Sequence, residues 1–278
     1  ALLAEPGIDA IIACLSWNVM PQFLNDLLSD PRPILLEKPI ALDAASVHAA
    51  IRRAGAALDN KLVGYNRRFY EPVVRLRERI NQRGLKAAEV TISENIQSHV
   101  AKHGSDIVPH LITFGSSHTL DLVLHLFGPL HPVRVWAHKD PGKMEFVSYN
   151  GVLVTEREEP VVLSLNSDDP SPAGVRCRFD DGTTWHLSPL ETLSIYHGTT
   201  IHPSEPGRRV RSYQPRLAET VVADARQKPG IEMQMAAFLS HNYDPGATPA
   251  DAAAVLNLIE KIRVAAMSEH VQNLAVRL

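Results

Sequence analysis

Residues 33–66 read PILLEKPIALDAASVHAAIRRAGAALDNKLVGYN. A short apolar run, Ile34 to Leu36, stops at Glu37-Lys38-Pro39. Asp43 to Leu58 reads as a helix, and Leu62 and Val63 open a second apolar run that ends in Gly64-Tyr65-Asn66. Strand, helix and strand with short connections predict a parallel pair bridged by a crossover helix. Upstream, Ile8 to Leu15 (IDAIIACL) is a nearly continuous apolar run, as expected of a strand buried on both faces, and Met20 to Leu28 predicts a helix ended by SDPRP. The first part of the chain is therefore expected to be a doubly wound parallel sheet. Three strands are visible where a dinucleotide-binding sheet has about six. The chain opens without Met and enters a strand almost at once, so it is expected to begin mid-domain.

From about residue 66 the pattern changes. A helix (EPVVRLRERINQRG) leads to an alternating strand (AAEVTISENI), then to the apolar helix SSHTLDLVLHLFG, Ser116 to Gly128. Closely spaced strands follow: PVRVWAH, GVLVTER, PVVLSLN, GVRCRFDDGTTWHLS and LSIYHG, with Asp181-Gly182 as a hairpin signal. They are expected to be antiparallel, with helices on one face and an exposed apolar surface on the other. Pro203 to Ala218 is expected to be loop. Two helices finish the chain, the last capped at Thr248-Pro249-Ala250-Asp251. This divides the chain into an α/β unit, residues 1–66, and an α+β unit, residues 67–278, with a large, mostly antiparallel open sheet packed on helices.

Of 278 residues, 45% are hydrophobic and 21% charged, and the formal net charge is −3. That balance suits a soluble globular protein and advertises neither a nucleic-acid nor a membrane partner. No apolar run approaches the roughly 20 residues that span a bilayer. The two cysteines, Cys14 and Cys177, lie in apolar segments and are expected to be buried thiols in a reducing cytoplasm.

Three places could carry chemistry. Glu37 and Lys38 end a parallel strand, at the edge where open α/β sheets bind ligands. Arg67 and Arg68, at the end of the next strand, could hold a phosphate or carboxylate, or form salt bridges at a domain junction. His118, Asp121 and His125 fall within about 60° of one another on a helix. They could be satisfied boundary groups, ligands of a divalent metal, or an acid–base set facing a pocket. No further His or Cys pairs with them, so a metal is not expected.

EKP at a strand end, GYNRRFYEP about 27 residues later, and a helix carrying D-x-x-x-H together resemble the Gfo/Idh/MocA family of NAD(P)-dependent oxidoreductases. The resemblance spans nearly the whole chain. It implies a Rossmann domain joined to an open-sheet domain, NAD or NADP as cofactor, and a sugar or cyclitol as substrate. It places the family lysine on Lys38 and the D-x-x-x-H pair on Asp121 and His125. His125 would then be the general base, Asp121 would orient its ring or bind a neighbouring hydroxyl, and Lys38 would stabilise the reacting oxygen. It also implies a cis Lys38–Pro39 bond, cofactor contacts from Ser16, Trp17, Asn18, Glu37, Lys38, Pro39 and Arg68, and substrate contacts from Lys38, Asn66, His118, Asp121 and His125. Members of the family commonly form homodimers or homotetramers through the open sheet.

The sequence departs from the family pattern in places. No Gly-rich G-x-G-x-x-G turn precedes the first strand, so this chain is expected to be inactive alone. SWNVMP replaces the usual TPNxxH, and Ser116-Ser117 replaces a pair of glycines. The segment Ser98 to Asp106 (SHVAKHGSD) is expected to be a solvated loop near the pocket. An alternative is a non-catalytic relative that senses a sugar or dinucleotide on the same fold.

Overall fold

The computed structural model describes residues 2–139, 147–204, 207, 209–224 and 226–276. The first unit forms β1 (Ile11–Ala13), α1 (Met20–Ser29), β2 (Ile34–Leu36), α2 (Ala44–Ala54) and β3 (Lys61–Val63). The strands pair in parallel in the order β1-β2-β3, so all three end at one edge. The backbone continues the ladder there, with Glu37 N–H bonding to Ala13 O at 3.0 Å and Gly64 N–H to Leu36 O at 2.8 Å. Asp43 caps α2 by accepting from Ser46 N–H at 2.7 Å, which satisfies one orphan donor of its first turn. Leu36, Val63, Met20 and Val47 are buried in a core shared with the second unit.

Lys61 is 1% exposed. Its ammonium donates to the carbonyls of Asp30, Arg32 and Ala57 at 2.7, 2.8 and 2.7 Å, tying the loop before β2 and the turn before β3 to one point. Lys61→Met keeps the apolar stem but orphans three carbonyls, each worth about 1–3 kcal/mol when left unmade. The expected result is a loss of about 3 kcal/mol, seen as a lower urea midpoint at unchanged slope. An unchanged midpoint would show that water replaces the amine.

The second unit contains α3 (Glu71–Asn81), β4 (Leu85–Glu94), α4 (Ile96–His103), a π-helical turn (Ile112–Ser116), α5 (Ser117–Phe127), β5 (Leu130–Lys139), β6 (Val147–Thr155), β7 (Pro160–Ser167), β8 (Gly174–Phe179), β9 (Thr183–Leu187), β10 (Thr192–His202), β11 (Ser212–Val222), α6 (Ile231–Ser240) and α7 (Pro249–Val276). Eight strands run in the order β11-β10-β9-β8-β4-β7-β6-β5. The helices α3 and α7 pack on the sheet, and α7 also reaches α2 and α5, joining the two units. The predicted cap of α7 is present: Thr248 N–H donates to Asp251 at 2.7 Å, and Asp251 N–H to Thr248 Oγ1 at 3.2 Å. Among the described residues no helix is long and apolar enough to cross a membrane.

Several expectations are corrected. Cys14 is exposed, because β1 ends at Ala13, while Cys177 is buried as expected. Ile12 is 49% exposed, because β1 is the edge of its sheet and one face of it is uncovered among the described residues. The sheet of the second unit is mixed, since β4 and β7 pair in parallel. Residues 212–218, expected to be loop, belong to β11; as an edge strand it tolerates Pro215 and Arg216. Ser98 to His103 is helical, capped by Asn95 accepting from Ser98 N–H and ended at Gly104 with φ 80°. The outward sheet face is not continuously apolar: Glu89 pairs with Arg176 and Arg178 at 3.5 and 2.8 Å near its centre.

Candidate active site

Glu37, Lys38 and Pro39 continue from β2 at the edge shared by the three parallel strands, and the Lys38–Pro39 peptide is cis, as expected. Glu37 lies open to solvent, Lys38 is half-buried and Pro39 is buried. The Lys38 amine runs beneath the turn that leads into α5. It donates to Phe114 O at 2.6 Å and lies 4.5 Å from the centre of the Phe114 ring. The π-helical turn explains why a carbonyl is available, since its i→i+5 bonding interrupts the i→i+4 ladder. Burial brings Lys38 down to about 8, opposed by the Glu37 charge, with Arg67 lowering, Glu94 raising and Lys228 lowering it further.

His118 follows one turn later. Its ring meets Tyr65 edge-on at 5.7 Å, its Nδ1 is buried without a partner, and the side chain is half-exposed. Burial, then the charges of Lys38, Arg67 and Lys228, hold it well below the usual imidazole range. It is therefore neutral at physiological pH and able to accept a proton. Arg67 donates to Thr119 Oγ1 at 2.5 Å, fixing the start of α5 to the turn after β3.

Behind the turn lies Glu94, the last residue of β4. It is 5% exposed, accepts from Ser116 Oγ at 2.6 Å and lies 3.1 Å from His99 Nε2. Gly115 has no room for a side chain, because a Cβ there would stand 2.4 Å from Glu94 Oε2. His99 and His103 both pack edge-on against Phe114, at 5.7 and 4.8 Å. Sequence reasoning missed Glu94, Phe114, Thr119 and Lys228. The one available signal was a carboxylate ending a strand that otherwise alternates apolar and polar.

Asp121 and His125 do not share this place. Asp121 is fully buried and takes a bidentate pair of bonds from Arg68, at 2.9 and 2.6 Å. Arg68 also pairs with Asp251 at 3.3 Å, so one guanidinium links the turn after β3 to α5 and α7. Burial pushes Asp121 up to about 6 against the pull of Arg68, and it is ionised at neutral pH. Arg68, expected to contact cofactor, is 5% exposed and engaged by these two carboxylates. Asp121 does not orient a histidine ring; its two oxygens are on Arg68. His125 Nε2 is buried without a partner, and burial with the charges of Arg68 and Arg77 brings the ring down to about 3. Seven residues separate the two histidines, about 10 Å along a helix even when they share a face. The three-residue face therefore does not assemble as a metal-ligand set.

The remaining predicted contacts are spread along the sheet edge. Ser16 Oγ donates to Asn18 Oδ1 at 2.8 Å, and both residues are exposed where β1 gives way to α1. Trp17 packs against His110, with ring centres 5.2 Å apart. Asn66 is 3% exposed and donates to Pro229 O at 2.9 Å, holding the loop before α6 against the turn after β3.

Comparison with protein-family models matches none, and a sequence comparison with curated proteins also finds no match. Solved structures do match. A UDP-N-acetylglucosamine 3-dehydrogenase from Acidithiobacillus ferrooxidans superposes with a TM-score of 0.68 at 18% identity, covering 95% of this chain and 80% of that one. An oxidoreductase from Agrobacterium radiobacter, solved with NAD+, L-tartaric acid and magnesium, gives 0.70 at 14%, covering 95% and 80%. A myo-inositol dehydrogenase from Corynebacterium glutamicum gives 0.67 at 15%, covering 96% and 80%. A parallel sheet followed by a large, mostly antiparallel sheet with helices is the fold that this chain shares with these solved structures.

Proposed function

We propose that the protein is an NAD(P)-dependent oxidoreductase that interconverts a secondary alcohol and a ketone on a sugar, cyclitol or related polyol. The observation that carries this reading is that the Lys38 amine, from the sheet edge, bonds to Phe114 O, one helical turn before His118, whose imidazole pKa is lowered by burial and by the Lys38 charge. The structural neighbours include a sugar-nucleotide dehydrogenase and an inositol dehydrogenase, which supports the substrate class.

In this reading Ser16, Asn18 and Glu37 hold the nicotinamide end of the cofactor at the sheet edge. NAD(P), when bound, supplies the hydride acceptor or donor. Lys38 keeps one donor on Phe114 O, which leaves its other donors for the reacting oxygen, where an ammonium stabilises developing negative charge. His118 takes the hydroxyl proton in oxidation and returns it in reduction. The base is His118 rather than His125, because the charges acting on His118 include Lys38 from the sheet edge, whereas those acting on His125 are Arg68, Arg77 and Asp251. Placing the histidine of D-x-x-x-H on His118 puts Phe114 at the aspartate position, so no carboxylate orients this imidazole from that position.

The test is a panel of sugars, cyclitols, uronates and sugar nucleotides with NAD or NADP, using protein expressed from its complete reading frame and following nicotinamide absorbance. Turnover of at least one polyol is expected, and none with any member sinks the proposal. Phe114 at the aspartate position favours a second reading, a sensor that binds the same ligands without chemistry. Saturable polyol and dinucleotide binding with no turnover would select it.

A further inference from the structure

The inward face of β4 carries Ala88, Val90, Ile92 and Glu94, all buried. The first three suit a strand facing the core. The fourth is a carboxylate, 5% exposed, at a place where an apolar side chain would cost less. Its backbone is fixed to the sheet, since Glu94 pairs with Ser167 of β7 and its carbonyl accepts from Asp168 N–H at 2.9 Å. A rigid strand end thus aims the carboxylate at the π-helical turn. Oε1 accepts at 2.6 Å from Ser116 Oγ, on a residue itself 1% exposed, and Oε2 lies against Gly115, where no Cβ would fit. His99 Nε2, from α4, meets Oε2 at 3.1 Å.

Only Gly115 separates Ser116 from Phe114, whose carbonyl accepts from the Lys38 amine at 2.6 Å. The Phe114 ring lies 4.5 Å from the same nitrogen, with His99 and His103 edge-on to it. Within the π turn the i→i+4 ladder is interrupted, so the direction of this carbonyl has to be set from outside. Two bonds of 2.6 Å therefore connect the sheet of the second unit, through one short turn, to the amine at the edge of the first. Resting on the reading of Lys38 as the donor to the reacting oxygen, we infer that Glu94 is a positioning residue: through Ser116 it fixes the turn at which Phe114 O receives the Lys38 amine. An apolar residue at 94 would fill the same space without holding Ser116.

The experiment is an NMR pH titration of Lys38 in the complete protein with isotope-labelled lysine, the signal being assigned by its absence from Lys38→Arg. The wild type, Ser116→Ala, Glu94→Ala and Glu94→Gln are compared. Burial is the largest influence on Lys38, followed by Glu37 beside it, Arg67 from the turn after β3, Glu94 from β4 and Lys228 from the loop before α6; His118 of α5 in turn feels its charge. In the wild type it titrates at about 8. Ser116→Ala and Glu94→Ala release the turn, the amine moves toward water, and its titration is expected to rise to about 9 or above. Glu94→Gln keeps an acceptor for Ser116 and loses only a charge that favours the ammonium, so Lys38 should stay at about 8 or fall below it. With a polyol substrate, kcat should drop about tenfold or more in the two alanine variants at little changed KM for NAD(P), and recover in Glu94→Gln. If Glu94→Ala fails to fold, Ser116→Ala, which removes one hydroxyl, carries the test. Lys38 titrating as in the wild type in the alanine variants overturns the inference, because a Glu94 that only stabilises the fold would lower Tm without moving Lys38. An equal fall in Glu94→Ala and Glu94→Gln also overturns it, since charge alone would then be at work. The titration needs no turnover: a displaced Lys38 in protein that turns over no polyol upholds the brace and sinks the oxidoreductase reading alone, and turnover with Lys38 unmoved sinks this inference alone.

Discussion

His118→Ala is expected to lower kcat by about 10²–10⁴, the usual range for losing a positioned general base, while His125→Ala should leave kcat within about threefold. The contrast follows from position on one helix. His118 stands at its start, where the Lys38 charge acts on it, and His125 lies two turns further on, where Arg68 and Arg77 act on it. The pH profile should carry the same signature. Lys38 is brought down to about 8 by burial, with Glu37, Arg67, Glu94 and Lys228 as the charges facing it. Its ammonium is present below that value and lost above it, so kcat/KM should fall as pH rises through about 8. His118 is held well below 6.5, so the acid limb should lie below the usual histidine range. In Lys38→Arg the alkaline limb should vanish, because a guanidinium keeps its proton, at the cost of a lower plateau. Equal losses in His118→Ala and His125→Ala, or an alkaline limb that persists in Lys38→Arg, would refute these assignments.

Much of the frame was legible because it rests on local patterns. Apolar runs ending in EKP and GYN, with a helix between them, suffice to predict β2, α2, β3 and the shared edge. The site was less legible for a physical reason. Helical periodicity tells which residues share a face, but not which point along that face meets a cavity. His118, Asp121 and His125 do share a stripe, and only its first residue reaches the Lys38 side. The π-helical turn at Ile112–Ser116 has no pattern of its own in the sequence, and it is what offers Phe114 O to Lys38. Glu94 and Lys228 come from β4 and from the loop before α6, far along the chain from each other. Only the tertiary fold brings such residues to one place. β11 was hidden because Pro215, beside Arg216, is tolerated where one edge of a strand faces water.

Arg68→Met is expected to destabilise the protein by about 3–5 kcal/mol near neutral pH, because it removes one partner of a buried ion pair and leaves the other. At this chain length that is a fall in Tm of about 10 °C. The pH dependence identifies the cause. With Arg68 present, burial already raises Asp121 to about 6; without it, only the Arg67 charge still opposes the desolvation, and the carboxyl rises further. A folded-state value above the unfolded one means stability that is complete below the unfolded value and is lost as pH rises through the folded one. The wild type has finished losing this contribution by about pH 7, whereas Arg68→Met should go on losing it into the alkaline range. The gap in urea midpoint between the two should therefore be small near pH 5 and widest near pH 8. The double variant Arg68→Met/Asp121→Leu, with no buried charge left, should recover part of the stability and lose that slope. Arg68 held by Asp121 and Asp251 is thus expected to act as a clamp between the turn after β3, α5 and α7, with dinucleotide affinity changed little in whatever variant protein remains folded. A large rise in the Kd for NAD(P) at unchanged Tm would instead make Arg68 a phosphate ligand, and the short bonds to Asp121 would then have to open when cofactor binds.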